Sequence, residues 1–201
     1  LISCHIPRIL MFLNNPPYTT FDQIRDEITT DECVLLGNGA SINDLDFDKV
    51  AQYFTIGVNR IGKIFTPDVH VAVDNYITGP DGYNSTSPAK VTWNDSKMDG
   101  YMRHHRAKVP SIPFALWFAF ELGFKTIYLC GVDFKGDYFW GEKAGAHQKL
   151  SLEQYYLTCI KSQMLHIADI SILLCEKGGI LYLCSKDSEI DFLEYTAFLN
   201  K

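Results

Sequence analysis

Four apolar residues in a row, Cys33-Val34-Leu35-Leu36, run directly into the turn Gly37-Asn38-Gly39-Ala40-Ser41. An unbroken apolar run leaves neither side suited to water. It therefore reads as a strand buried on both faces, as in parallel sheets covered by helices. The pattern recurs. Phe54-Thr55-Ile56-Gly57-Val58 stops at Asn59-Arg60, and Val69-His70-Val71-Ala72-Val73 stops at Asp74-Asn75. Thr126-Ile127-Tyr128-Leu129-Cys130 stops at Gly131-Val132-Asp133-Phe134, and a last strand at 180–184 stops at Ser185. Helical spacings fill the gaps. Phe21, Ile24 and Ile28 share one face of a helix over 21–28, and Ser41 can cap a helix carrying Leu45, Phe47 and Val50. The stretch 114–122 is apolar almost all round, as a buried helix is, and Gly123 ends it. Two further helices are expected at 151–165 and 169–177, the second ending at Gly178-Gly179. Residues 78–99 read as irregular, with one short strand at 90–92. Alternating strands and helices predict an α/β fold, a Rossmann-like doubly wound parallel sheet with a small lid insertion.

The boundaries follow. Residues 1–30 read as an N-terminal extension with one helix and 31–201 as a nucleotide-binding α/β domain, with a lid-like insertion at about 135–167. Eighteen basic against twenty-four acidic residues give a net charge of −6, which offers no general attraction to nucleic-acid phosphates. The one basic cluster, Arg103-His104-His105-Arg106-Ala107-Lys108, suits a solvated loop better than an anion site. Six cysteines, at 4, 33, 130, 159, 175 and 184, show no C-x-x-C spacing, and most sit in apolar runs. They read as buried free thiols in a reducing compartment, so a cytoplasmic location is expected. The apolar stretch 9–13 is too short to span a bilayer; peripheral membrane contact and self-association both stay open.

In open parallel sheets, ligands bind beyond the carboxyl ends of the strands. Those ends carry Gly37, Asn38, Gly39, Ser41, Asn59, Asn75, Gly131 and Asp133. The glycines permit close backbone approach, and a helix start after the first turn would offer free N–H groups to a phosphate. No glycine stands three residues after Gly39, and no acidic residue ends the second strand, so a nicotinamide dinucleotide is disfavoured. Asn59 and Asn75 have amides able to donate and accept toward a base or ribose. Asp74 and Asp133 could ligate a metal or cap the following turn. The segment 135–149 holds Tyr138, Trp140, Lys143 and His147 among three glycines, the makings of a mobile lid. His147 and His166 are the candidate general bases.

The segments 34–41 and 122–134, with the strand ending at Asn59, resemble the bacterial sialyltransferases of lipooligosaccharide synthesis. They are also similar to a wider superfamily that includes motility accessory factor (flagellin glycosylation) proteins and archaeal-type 6-hydroxymethylpterin diphosphokinases. The likeness spans about residues 32–190. It implies that Asn38, Gly39 and Ser41 lie against the nucleotide phosphates and ribose, that Asn59 and Asn75 read the nucleotide, and that Ser111 supports the base. Tyr138 would stabilise the departing phosphate in place of a metal, and His166 or His147 would deprotonate the acceptor hydroxyl. Two positions depart from the sialyltransferase pattern: Ala40 replaces a proline, and Lys135 stands where those enzymes have a second phosphate-contacting tyrosine.

The function expected is a glycosyltransferase. It would move a sugar from a nucleotide-activated donor of the CMP-sugar type to a hydroxyl acceptor, with no cofactor required. The alternatives are a pyrophosphokinase using ATP and Mg²⁺ held by Asp74 and Asp133, and a non-catalytic nucleotide-binding module.

Overall fold

The structure, a computed structural model, describes residues 13, 18, 20–72, 85–92, 102–103, 109–141 and 151–201. Its strands are β1 (Glu32–Leu36), β2 (Phe54–Val58), β3 (Val69–Val71), β4 (Ala89–Thr92), β5 (Met102–Arg103), β6 (Thr126–Cys130), β7 (Ile180–Leu183) and β8 (Glu194–Tyr195). They form one sheet in the order β5-β4-β3-β2-β1-β6-β7-β8, and every neighbouring pair is parallel. The α-helices are α1 (Phe21–Glu27), α2 (Phe47–Val50), α3 (Ser111–Leu122), α4 (Leu152–Tyr155) and α5 (Lys161–Glu176). The expected α/β, Rossmann-like architecture is present.

The strand period of two sorts the apolar runs onto two cores. Cys33 and Leu35 of β1, with Ile127 and Leu129 of β6, enter the larger core beneath α1, α3 and α5. Val34 and Leu36, with Cys130, enter a smaller core closed by Ile42, Leu45, Val50, Ile61 and Leu199. Fully burying a side chain such as Leu35 contributes about 2 kcal/mol relative to leaving it exposed. Helix α3 is apolar on nearly every side because it touches β1, β2, α1 and α5. Gly123 ends it at φ +94°, a left-handed conformation that a residue without Cβ adopts at no steric cost. A reciprocal Thr20–Gln23 capping box starts α1.

Three local expectations are corrected. Ser41 does not cap an α-helix: a 3₁₀ turn, Ala40–Asp44, follows the glycines, and Asp46 caps the short α2 through the N–H groups of Asp48 and Lys49. The helices expected at 151–165 and 169–177 are one continuous run. α4 passes through a π turn at Tyr156–Ile160 into α5, because Gln163, Ile167, Ile170 and Leu174 keep a buried face across the expected break. By length and composition the run Glu153–Glu176 could cross a membrane, with a mean hydropathy of 1.3 over its most apolar window, yet it packs along α3 and β7. Nor is the strand at 180–184 the last, since β8 pairs with β7 beyond it; β8 and β5 are two residues long and have no apolar period to read.

The chain steps from β1 outward through β2 to β5, returns through α3, and resumes on the other flank of β1 with β6, β7 and β8. The switch point therefore lies between the ends of β1 and β6, where Gly37 N–H donates to the Cys130 carbonyl at 2.7 Å. A Cβ on Gly37 would lie 2.3 Å from the Gly131 carbonyl oxygen and 2.9 Å from Val132 Cγ2. Backbone cannot yield as a flexible side chain does. Gly37→Ala should cost about 2 kcal/mol or more in urea unfolding, by overpacking. Gly136→Ala, at φ +68° with open space around it, should lose only about 1 kcal/mol. Equal midpoints for wild type and Gly37→Ala would contradict the close approach of the two strands.

Candidate functional site

The turn after β1 is tied down on every side. Gly39 N–H donates to the Gly131 carbonyl at 2.7 Å and Ala40 N–H to the Asp137 carbonyl at 3.1 Å. Ser41 N–H donates to Asp133 Oδ2 at 2.9 Å, and Ile42 N–H returns to Gly39. The expectation of free N–H groups for a phosphate therefore fails, since the Gly131 and Asp137 carbonyls and the Asp133 carboxylate have taken these donors. Asp133 is buried and also accepts from Ser41 Oγ, which in turn lies 2.8 Å from Ser185 Oγ. Because the Ser41 hydroxyl donates to Asp133, Ser185 donates to Ser41. Gly39 makes room for this, because a Cβ there would sit 2.5 Å from Asp133 Oδ2. Asp133 fastens the turn from below.

Asn38 stands above this knot. Its Nδ2 donates to the Val58 carbonyl at 3.1 Å, linking the β1 and β2 ends, while its buried Oδ1 has no hydrogen-bond partner among the described residues. A buried acceptor without a donor costs free energy until a ligand supplies one.

At the end of β2, Asn59 adopts φ +48°, a left-handed value that asparagine tolerates better than most residues. Two neighbours hold it there. Its amide and the Ser111 hydroxyl at the start of α3 lie within hydrogen-bond reach in both directions, at 3.1 and 3.2 Å. His70 Nε2, on buried β3, lies 2.6 Å from the Asn59 carbonyl; that oxygen can only accept, so the proton sits on Nε2. Burial pulls the His70 imidazole down to about 4, helped by the charge of Lys90 and opposed by the bond to Asn59.

The segment 137–141 completes the cluster. Tyr138 bridges Gly39 in antiparallel fashion, and Phe139 N–H donates to the Asn38 carbonyl at 3.1 Å. The Tyr138 ring stacks on Trp140 at 4.4 Å between centroids, and the Arg60 guanidinium lies 4.5 Å over the Trp140 ring. The Tyr138 hydroxyl is 3.3 Å from that of Tyr155 on α4. Burial, then the neighbouring Tyr138, push the Tyr155 phenol well up, so it stays protonated and can donate.

Of the residues expected at the site, Gly37, Asn38, Gly39, Ser41, Asn59, Ser111, Gly131, Asp133 and Tyr138 surround the strand ends at the switch point. Asn75, Asp74 and His147 lie outside the described residues, as do Lys143 and residues 104–108 of the basic cluster. His166 is half-buried on α5, eleven positions beyond Tyr155, or about 16 Å of helix rise, and so stands apart from the tyrosine pair. Lys135 lies 3.8 Å from Glu189. Tyr155 is absent from the sequence-based expectations, and Arg60 stands there only as a strand-end residue. Nothing in Gln154-Tyr155-Tyr156 marks one tyrosine as turned toward Tyr138, while Arg60 is visible beside Asn59.

No protein-family model matches the sequence, and no curated protein does. Solved structures do. CstII from Campylobacter jejuni with cytidine-5'-monophosphate superposes with a TM-score of 0.58 at 12% identity, over 85% of this chain and 86% of that one. CST-II with a trisaccharide acceptor and CMP gives 0.57 at 12%, over 85% and 88%. The monofunctional α-2,3-sialyltransferase Cst-I from Campylobacter jejuni gives 0.56 at 13%, over 86% and 82%. The chain has the fold of these sialyltransferases. Identities of 12–13% carry the fold and no more, so the chemistry rests on the side chains described above.

The buried His70 has a measurable consequence. Its folded value near 4 lies below the unfolded value of about 6.5, so between these the unfolded chain takes up a proton that the folded chain does not. Stability is complete above pH 6.5 and falls by about 3 kcal/mol as pH drops toward 4. His70→Gln keeps an N–H for the Asn59 carbonyl and removes the titration. Urea midpoints for this variant should vary less across that window than those of wild type; parallel acid limbs would show that His70 does not charge on unfolding.

Proposed function

We propose that this protein is a sialyltransferase-like glycosyltransferase, moving a sugar from a CMP-sugar type donor to a hydroxyl of a glycan acceptor. The observation that carries the reading is the Tyr138–Tyr155 hydroxyl pair, held beside the switch point by the bridge between Tyr138 and Gly39. In the transfer, the acceptor oxygen bonds to the anomeric carbon as that carbon's bond to the nucleotide phosphate oxygen breaks. Negative charge gathers on the departing phosphate, and the acceptor proton passes to a base. Fixed phenol donors stabilise such charge without reorganising. The unpaired Oδ1 of Asn38 suits a ribose hydroxyl, and the Asn59–Ser111 pair offers both donor and acceptor to the base. His147 is the candidate base for the acceptor, since His166 stands about 16 Å of helix rise from Tyr155.

The pyrophosphokinase reading has no observation in its favour. It needs Asp133 as a metal ligand, and Asp133 already spends its carboxylate on Ser41.

Two measurements test the proposal. In calorimetric titration, CMP should bind more tightly than UDP, GDP or ATP, and equal or absent binding of all four would overturn the donor assignment. With a CMP-sugar as donor, Tyr138→Phe should lower kcat for CMP release by about a hundredfold while leaving the melting temperature unchanged. A Tyr138→Phe enzyme with unaltered kcat would sink the leaving-group role.

A further inference from the structure

Helix α5 buries one face, and its opposite face is not the polar surface that such a helix usually turns to water. Leu165 and Ile172 are 62% and 59% exposed, seven residues apart on one line, and Leu157, 58% exposed, extends that line into the π turn. Three large aliphatics on a solvent line favour contact with another apolar surface. The charges beside them indicate which one. Lys161 lies four residues before Leu165 and Asp169 four residues after it, and both are exposed.

We propose that this face is an isologous interface with a second copy of the chain, the two α5 helices packing antiparallel about a two-fold axis through Leu165. On such an axis, residue 165 − n of one helix faces residue 165 + n of the other. Lys161 then faces Asp169 of the second copy, twice per dimer. Ile172 faces Thr158, with Leu157 beside it, and the two Leu165 side chains meet at the centre. The parallel arrangement sets Lys161 against Lys161 and Asp169 against Asp169. Like charges at a helix interface oppose association, so the charge pattern selects the antiparallel pair. Heptad spacing of Leu165 and Ile172 keeps the apolar line facing its counterpart along the contact. The interface needs none of the residues assigned to sugar transfer, so it stands or falls independently of that reading.

The test is the oligomeric state of the full chain, followed by sedimentation velocity across micromolar concentrations. Wild type should show a concentration-dependent dimer. Leu165→Glu should weaken it by about a hundredfold, since it sets two carboxylates against each other on the axis. Lys161→Glu should weaken it by about tenfold, and adding Asp169→Lys should restore it, because the pairs are then re-formed with reversed sign. These positions are exposed, so unchanged circular dichroism should confirm that the variants fold. Leu165→Cys should crosslink to a disulfide dimer on mild oxidation, whereas wild type, with its exposed Cys175 off the axis, should not. A wild type that stays monomeric throughout, or a double variant that fails to recover the dimer, would overturn the proposal. A monomer that instead sediments with phosphatidylglycerol vesicles, and loses this with Leu165→Glu, would overturn it in favour of a membrane surface.

Discussion

Everything at the carboxyl end of the sheet depends on how closely β6 approaches β1. Parallel strands in a doubly wound sheet diverge after their last paired residues, and the gap between them is where such folds take ligands. Here the gap is stitched shut at its base. Gly37 and Gly39 donate to the carbonyls of Cys130 and Gly131, and the Asp133 carboxylate reaches across to both the N–H and the hydroxyl of Ser41. That geometry leaves no room for Cβ atoms at 37 or 39. The two glycines are therefore a packing requirement of the sheet before they could serve any ligand.

Much of this was legible in the sequence, because the signals were long and periodic. Five of the eight strands were expected as apolar runs ending in Gly, Asn, Asp or Ser, and the fourth strand of the sheet was expected as a short element in an irregular stretch. What escaped had a physical reason. Two-residue strands at the sheet edges have no period. The 3₁₀ turn after Gly39 looks like a helix start in sequence, and only the contact with Asp133, 92 residues away, shows that the Ser41 hydroxyl and N–H are engaged by tertiary structure. Chain proximity suggested capping; the fold chose a distant carboxylate. The site was legible in its strand-end residues for the same reason that the strands were. Tyr155 was not, because its partner lies in a loop and a helix offers no local sign of which tyrosine faces it.

His70 shows how the second strand end is maintained. Asn59 holds a left-handed backbone angle outside a glycine, which costs energy unless its surroundings fix it. An imidazole kept neutral by burial supplies the donor for its carbonyl, and the first hydroxyl of α3 engages its amide. The same left-handed residue thus ties β2, β3 and α3 together. A charged donor such as lysine would meet a larger desolvation cost in that buried position, and an aliphatic would leave the carbonyl unpaired.

The taking of the turn's N–H groups has a consequence for how this fold can handle an anion. In many nucleotide-binding α/β proteins the start of a helix after the first strand provides backbone donors and a dipole for phosphate. Here the first turn is 3₁₀ and too short to sum an appreciable dipole, and its donors face inward. Any recognition of negative charge at this turn would then have to come from side chains, such as those of residues 138–140. The antiparallel bridge between Gly39 and Tyr138 brings in one of these without leaving the tyrosine to a free loop, because the backbone pairing sets where the ring begins and Trp140 and Arg60 set where it lies. A phenol fixed in this way donates to developing charge with little reorganisation, which is the property a leaving-group donor requires. The same pairing that removes the backbone donors is what delivers the hydroxyl in their place.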